Sequence, residues 1–250
     1  MFSYRFKRKE NEMAKGIRLH VWGDYALFTR PEMKAERVSY DVMTPSAARA
    51  IVSSIYWKPE IEWVIDRIHV LKPIRFTSVR RNEVGAVAVV PRHEAIAGLL
   101  VEDERQQRAS LLLKDVGYVI EAHFHVVSRT LEKNGAQVDL ALCEAKHISM
   151  FNRRAEAGQC FRQPYLGCRE FPVSFRLLKE ADPLPDNQLD VRDKDFGFMF
   201  HDFMYREDKK GTIIESHAGR KLTAEPRFFR AVMKDGIIDI PSLKGKEVLG

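Results

Sequence analysis

A chain of 250 residues is long enough to bury a core as one large domain or two small ones. Its composition, 45% hydrophobic and 30% charged, is typical of a soluble globular protein. The 41 Lys and Arg residues exceed the 35 Asp and Glu residues, and the net charge of +6 favours a polyanionic partner without identifying it. No apolar run approaches the roughly 20 residues needed to cross a bilayer, and no signal-peptide core stands near the N-terminus. We therefore expect a cytoplasmic protein with no membrane partner.

The cysteines do not predict a disulfide framework or a metal centre. Three cysteines are too few and too unevenly spaced for a set of disulfides. Cys143, His147, Cys160 and Cys168 can be drawn as a zinc set, but their spacing matches no closely paired zinc knuckle. No cluster of Asp and Glu with the character of magnesium ligands stands out either. The sequence thus predicts neither a metal site nor a cofactor.

The first segments of the chain predict a tail and a strand. Residues 1–15 are polar and basic without a hydrophobic period, which is typical of a solvated, flexible end. Residues 17–22 then alternate apolar and polar side chains, which is the period of a half-buried strand. Gly23 and Asp24 are expected to end this strand.

Thr44 and Pro45 predict the start of the first helix, because threonine is a favoured N-cap and proline is favoured at the first helical position. The apolar stripe behind this cap consists of Ala48, Ile51, Val52 and Ile55. The helix is expected to end near Trp57, since Pro59 disfavours a helical conformation at Lys58.

Two further strands are predicted, with an irregular segment between them. Residues 61–71 alternate again and predict a strand. Between residues 76 and 108 the pattern is lost, which favours a projecting hairpin or a mobile loop. Strand character returns over residues 110–128. On this strand we expect His123 and His125 to be sheet-surface residues rather than catalysts, because they alternate with apolar residues of the core face.

Lys146 and His147 stand side by side just before a second helix-like run, at a position where a loop or a first helical turn lets them share a site. The modest apolar stripe of that helix consists of Ile148, Phe151 and Ala155. Gly158 is its expected C-terminal cap, a Gly- and Pro-punctuated loop follows, and residues 171–178 predict a final strand. A cation beside an imidazole, with a glycine loop beyond, is suited to metal-free chemistry on a phosphodiester.

The predicted order is strand, helix, strand, long insertion, strand, helix, strand. This order is typical of the split βαβ pattern of ferredoxin-like (RRM-like) folds, whose sheet face or helix side often meets RNA. We expect an α+β protein with a βαββαβ domain over residues 16–178, interrupted by the insertion at about 76–108. Residues 181–186 are typical of a linker, and residues 179–250 predict a small antiparallel β appendage.

Several separated motifs, in the right order between Gly16 and Pro241, resemble the Cas-five family of CRISPR-associated proteins in its subtype I-C form. The motifs are residues 23–28 (GDYALF), 54–59 (SIYWKP), 146–147 (KH) with the loop 163–171 (QPYLGCREF), and 229–236 (FRAVMKDG). The resemblance implies a ferredoxin-like domain of the RAMP superfamily. It also implies an endoribonuclease that cuts CRISPR repeat RNA and stays on the 5′ handle of the crRNA.

The same resemblance implies the partners and the catalytic residues. The product-bound protein would be a subunit of the Cascade surveillance complex, beside its backbone and large subunits, and would meet target DNA only through that complex. The family's catalytic tyrosine falls on Tyr56, and its lysine and histidine fall on Lys146 and His147.

Metal-free RNA cleavage needs an aligned 2′-hydroxyl, a cation for the phosphorane charge and an acid for the departing 5′-oxygen. We assign His147 as general acid, Lys146 as the charge partner, and Tyr56 as the group that orients or deprotonates the 2′-hydroxyl. A tyrosine with an ordinary pKa near 10 is ionised in about one molecule in a thousand at pH 7. Tyr56 is therefore a base only if cations lower its pKa, and a nearby Lys146 is expected to do so while also lowering that of His147. At the end of its helix, Tyr56 is expected to point into a cleft.

Basic residues around the glycine loop are candidates for RNA contact. They are Arg153, Arg154, Arg162 and Arg169, together with Gly167 of the loop itself, and Arg80 and Arg81 of the insertion. Two other functions stay open: a purely structural subunit that caps the RNA, and, less favoured, a metal-dependent nuclease.

Overall fold

The computed structural model describes residues 16–33, 35–87, 99–127, 132–133, 136–137, 139–206, 213–215 and 221–250. The predicted tail, residues 1–15, lies outside them. Within the described residues no helix is long and apolar enough to cross a bilayer. The elements are β1 Ile17–Ala26, β2 Arg37–Val38, α1 Pro45–Ile55, β3 Ile61–Val70, β4 Phe76–Val84, β5 Arg105–Val126, β6 Glu132–Lys133, β7 Ala136–Gln137, α2 Leu140–Glu156, β8 Ser174–Leu178, β9 Lys194–Arg206, β10 Ile213–Glu215, β11 Lys221–Lys234, β12 Ile237–Asp239 and β13 Val248–Leu249.

Most strands join one large, mostly antiparallel sheet, so the fold is α+β, as predicted. Its central part has the order β8–β1–β5–β3, and each of these neighbours is antiparallel. The order continues from β3 through β12 to β11 and β10. Residues of α1 and α2 belong to the same hydrophobic core as the apolar face of β1, β3 and β5. The helices therefore cover one face of the central strands.

Helix α1 confirms its predicted start, stripe and end. The Thr44 hydroxyl accepts a hydrogen bond from the N–H of Ala47, and Pro45 opens the helix. All four predicted stripe residues are buried, and burying each such aliphatic side chain contributes about 1.5–3 kcal/mol for valine or isoleucine. Tyr56 caps the helix in an extended conformation, with φ −149° and ψ 118°. The chain therefore leaves the helix just before Pro59.

Two strand boundaries differ from the prediction. Strand β1 does not stop at Gly23, because its pairing with β5 continues to Ala26. A side chain at position 23 would meet Leu166 at 2.6 Å, so this glycine allows close packing rather than ending the strand. Strand β8 begins only at Ser174. The three residues before β8 belong to the preceding loop, in which the Leu166 N–H donates to the carbonyl of Phe171 at 2.8 Å.

The irregular segment of residues 76–108 forms a hairpin where the structure describes it. Strand β4 pairs with the first part of β5, from Phe76 opposite Leu113 to Val84 opposite Arg105. Residues 88–98 at the far end of this segment lie outside the described residues. The predicted strand over residues 110–128 corresponds to residues 110–126 of a longer strand, β5, which begins at Arg105.

The C-terminal residues extend the same sheet. Strand β12 pairs with β3, Ile238 lying opposite Ile68. Strand β11, which the sequence pattern did not predict, pairs with β9 along most of its length. Met199 and Phe229 from these two strands belong to the main hydrophobic core, so the C-terminal strands pack directly against the rest of the protein.

Candidate active site

Helix α2 starts earlier than predicted and changes the position of Lys146 and His147. The Asp139 side chain caps the helix by accepting hydrogen bonds from the N–H groups of Ala141 and Leu142. The two residues therefore lie in the second turn, and their expected place at a loop or first turn was wrong. Successive helical residues point about 100° apart. Accordingly, His147 is 1% exposed, while the Lys146 side chain is 54% exposed.

Tyr56 does not point into an open cleft, contrary to expectation, since its side chain is fully buried. Two hydrogen bonds of the Tyr56 backbone fix the residue at the end of α1. Its N–H donates to the carbonyl of Val52 at 3.1 Å, and its own carbonyl accepts from the indole N–H of Trp63 at 2.9 Å. The extended conformation of the cap lets the ring leave α1 and reach α2.

The Tyr56 hydroxyl lies 2.8 Å from His147 Nδ1. It also contacts Met150 Sδ at 3.5 Å. The Arg154 guanidinium lies over the tyrosine ring, 5.5 Å from its centroid, and donates to the carbonyl of Ile55 at 3.4 Å. Two predicted catalytic residues that are 91 positions apart are thus in direct hydrogen-bonding contact.

The sequence reasoning missed Glu60, which joins the third predicted residue to this pair. One carboxylate oxygen, Glu60 Oε2, lies 3.1 Å from His147 Nε2 and 3.3 Å from Lys146 Nζ. The contact to the imidazole has the distance of an ion pair but not the alignment of a hydrogen bond. No pattern in the sequence marks Glu60, because its partners lie on a helix far along the chain. The structure therefore brings the three predicted catalytic residues together, because Tyr56 contacts His147 and the Glu60 carboxylate joins His147 to Lys146.

The surroundings shift the pKa values of both buried groups. Burial raises the pKa of Tyr56, and the Glu60 carboxylate raises it further, while Arg154 opposes them. Burial lowers the pKa of His147, Lys146 lowers it further, and Glu60 acts in the opposite direction. The expected lowering of the Tyr56 pKa was therefore wrong, whereas the expected effect of Lys146 on His147 is confirmed. At pH 7 the imidazole is mainly neutral and the phenol is protonated.

The glycine loop begins beside this cluster. The N–H groups of Phe161 and Arg162 both donate to the carbonyl of Ser54, at 2.7 and 3.2 Å, and so hold the loop against the end of α1. The side chains of Arg153 and Arg162 are exposed, whereas Arg154 is half-buried against Tyr56. Gly158 has φ 64°, in agreement with its predicted role at the end of α2. Two exposed arginines thus lie close in sequence and structure to the candidate centre.

The remaining RNA candidates lie toward the other end of β5. Gly167 has φ 85°, and a side chain there would clash with the carbonyl of Leu27, which gives this glycine a structural role. Arg81 forms an ion pair with Glu170, whereas the side chain of Arg80 is exposed. Arg169, next to Glu170, is also exposed. The structure does not bring these residues together with Tyr56.

His123 and His125 lie on the sheet face away from the core, as predicted. His123 Nδ1 lies 2.8 Å from Asp66 Oδ1, and His123 Nε2 lies 3.3 Å from His125 Nε2. Across the described part of the chain, no group of three or more His, Cys, Asp and Glu residues is arranged to hold a metal ion.

A family model described as CRISPR-associated protein (Cas_Cas5) matches residues 16–241. The chain belongs to this Cas5 family. A curated family relative from Mannheimia succiniciproducens, named CRISPR pre-crRNA endoribonuclease Cas5d, is 50% identical over 247 residues, covering 94% of this chain and 99% of the relative. A protein with the same name from Thermus thermophilus is 37% identical over 236 residues, covering 93% and 94%.

Solved structures show that the fold is shared. A crystal structure described as a CRISPR-associated protein superimposes with a TM-score of 0.62 at 24% identity, over 95% of this chain and 97% of the other. A functionally uncharacterized protein from Streptococcus mutans gives 0.59 at 22% identity, over 95% and 98%. At these identities the two likenesses show the fold alone.

Proposed function

We propose that this chain cuts precursor CRISPR RNA within the repeat and remains on the 5′ handle of the product as a subunit of the Cascade surveillance complex. The family and the names of two relatives that match more than nine tenths of the chain support the reaction. The observation in the site that carries the proposal is the 2.8 Å contact between Tyr56 and His147. This contact joins two groups suited to proton transfer at the end of a helix, beside a lysine ammonium.

The proposed reaction needs no metal ion. The 2′-hydroxyl gives its proton to solvent water as its oxygen attacks the adjacent phosphorus, the bond from phosphorus to the 5′-oxygen breaks, and the products are a 2′,3′-cyclic phosphate and a 5′-hydroxyl. His147 donates the proton to the departing 5′-oxygen, and Lys146 stabilises the charge that builds on the phosphorane. Tyr56 orients the attacking 2′-hydroxyl. The raised pKa of Tyr56 favours this orienting role over that of a phenolate base.

The protonation state of His147 fits an acid that RNA activates. In the free protein its pKa is lowered, so the ring is mainly neutral at pH 7. A phosphate placed beside the ring adds negative charge, which favours the imidazolium. The proposed acid would therefore gain its proton as the substrate binds.

The burial of Tyr56 and His147 favours an alternative function, a non-catalytic subunit that caps the crRNA 5′ handle. Both side chains are almost inaccessible in the free protein. In the catalytic proposal, the RNA displaces side chains above the pair, and the half-exposed Lys146 marks the point of entry. Arg153, Arg154 and Arg162 would contact phosphates near that point, and Arg80, Arg81, Gly167 and Arg169 would form a second RNA contact.

The strand order supports a ferredoxin-like assignment for the first part of the chain. The antiparallel order β8–β1–β5–β3, with α1 between β1 and β3 and α2 between β5 and β8, fits a βαββαβ unit. We propose this unit for residues 16–178 and a C-terminal β unit for residues 179–250. The protein would act in the cytoplasm, the compartment of its proposed substrate.

One assay separates the proposed functions. Purified protein is incubated with a CRISPR repeat hairpin in EDTA, and the product ends are identified. We expect cutting with a 2′,3′-cyclic phosphate and a 5′-hydroxyl, and no cutting of an all-2′-deoxy hairpin of the same sequence. Binding without cutting would support the structural subunit instead. Cutting that appears only with added Mg²⁺ would show a metal-dependent nuclease.

A further inference from the structure

Glu60 is held in place by a tight turn between α1 and β3. The Ile61 N–H donates to the carbonyl of Lys58 at 3.2 Å, with Pro59 at the second position of the turn, where its fixed φ is favoured. The Glu60 carbonyl accepts a further hydrogen bond from the N–H of Val127 at 2.9 Å. Hydrogen bonds that do not involve the Glu60 side chain therefore fix the backbone around this residue.

The Glu60 carboxylate contacts two side chains that point in different directions from α2. Adjacent helical residues point about 100° apart, so Lys146 and His147 do not share a face of α2. Yet Glu60 Oε2 lies within 3.3 Å of the lysine Nζ and within 3.1 Å of the imidazole Nε2. A negative charge on a neighbouring turn thus draws the lysine ammonium toward the buried imidazole.

We propose that Glu60 is a positioning residue of this centre, which holds His147 with Nδ1 toward Tyr56 and keeps the Lys146 ammonium beside the ring. This inference rests on the proposed ribonuclease function and adds a fourth residue to it. With the Nε2–H on the side of Glu60, Nδ1 is free of hydrogen and accepts a hydrogen bond from the tyrosine hydroxyl. The carboxylate acts through the imidazole and the ammonium and does not touch the reacting atoms.

The charges around His147 support this role. Burial and two neighbouring cations disfavour the imidazolium, and the Glu60 carboxylate favours it. The charged and titratable groups around the Tyr56–His147 pair are Lys58, Glu60, Cys143, Lys146 and Arg154. Removing the Glu60 charge therefore leaves the cations and burial unopposed, and the imidazole becomes harder to protonate.

The test compares Glu60→Gln with Glu62→Gln, which removes the same charge from an exposed side chain two residues along the chain. The pKa of His147 is measured by NMR titration of protein with ¹⁵N-labelled histidine, its signal being assigned from its absence in His147→Gln. We expect Glu60→Gln to lower this pKa by about one unit and Glu62→Gln to leave it unchanged. Glu60→Asp, which keeps the charge, should restore part of the difference.

Cleavage provides the second measurement. The cleavage rate depends on a protonated His147, so it falls as the pH rises through the pKa of this residue. Glu60→Gln should therefore move this alkaline limb of the pH–rate profile to lower pH by as much as it lowers the pKa of His147. At pH 7 we expect kcat to fall about ten-fold with KM unchanged. An unchanged His147 titration and an unchanged limb in Glu60→Gln would overturn the role of Glu60. If the wild-type protein does not cut the repeat, the proposed function fails, while the titration still decides whether Glu60 positions His147.

Discussion

His147 and His123 have similar partners but very different surroundings. Each has a carboxylate beside one ring nitrogen, Glu60 at 3.1 Å and Asp66 at 2.8 Å, and a second polar group beside the other nitrogen. His147 is buried and faces a tyrosine hydroxyl, whereas the His123 side chain is 22% exposed and faces another histidine. A carboxylate–histidine pair alone therefore does not identify a catalytic acid. The hydroxyl, the adjacent ammonium and the burial distinguish the candidate centre.

The largest expected difference between the two histidines is in cleavage. His147→Ala should lower the single-turnover rate by at least about 100-fold, because it removes the proposed acid. His123→Ala should stay within about two-fold of the wild type, since it changes the opposite sheet face. RNA affinity is measured in parallel and should be similar for both variants. A His123→Ala variant as slow as His147→Ala would show that the comparison is wrong.

Tyr56→Phe should lower cleavage about ten-fold, which corresponds to the loss of one hydrogen bond that orients the 2′-hydroxyl. The ring and its packing remain, but the loss of the buried contact with His147 Nδ1 should lower the thermal unfolding midpoint. Tyr25→Phe is the matched control, because its ring is partly exposed and packs against Phe171. A loss of cleavage rate as large as that of His147→Ala would indicate that Tyr56 also removes the proton of the 2′-hydroxyl.

The arginines near His147 should affect RNA affinity rather than chemistry. A double variant, Arg153→Gln with Arg162→Gln, should weaken RNA binding about five-fold and reduce the slope of log affinity against log salt by about 1.4, if each contacts one phosphate of single-stranded RNA. Arg67→Gln, on the face that carries His123, should leave the slope unchanged. Titrations at several salt concentrations measure both. If the double variant and Arg67→Gln gave equal salt slopes, Arg153 and Arg162 would not be part of the RNA interface.

The smallest expected effect is on the pH dependence of stability. Burial lowers the pKa of His147, as it does for His20 and His201. The unfolded chain then binds protons more readily than the folded one, so stability should fall as the pH drops below about 6.5. His147→Gln should make this fall less steep. Thermal unfolding between pH 8 and pH 5 tests this, and an unchanged slope in His147→Gln would show that the ring is not protected from protonation.

Local signals predicted the parts of the fold that depend on a few adjacent residues. Thr44 and Pro45 fix the start of α1, and Pro59 limits its end, so this helix was predicted correctly. The alternation in β5 placed His123 and His125 on the correct face. These patterns depend on caps and side-chain periodicity, which short sequence windows contain.

One error concerned a local helix cap, and the others arose where distant residues decide the structure. Asp139 caps α2 about two turns before the apolar stripe begins, so the helix was predicted to start too late. Strand β11 was missed because Pro226 and the charged residues around it interrupt its apolar pattern, although pairing with β9 continues through them. Glu60 reaches partners on α2, and that contact exists only in the folded chain. Family resemblance identified the three candidate catalytic residues, but not the carboxylate that joins two of them.

The most direct test of the account asks whether His147 protonates the leaving group. A repeat RNA is prepared with sulfur in place of the bridging 5′-oxygen at the mapped cut, because a thiolate departs without an acid. The account predicts that His147→Ala, nearly inactive on normal RNA, cuts this substrate in EDTA at close to the wild-type rate, while Tyr56→Phe keeps its defect. If His147→Ala stays inactive on the sulfur substrate, His147 is not the general acid and the proposed mechanism is wrong.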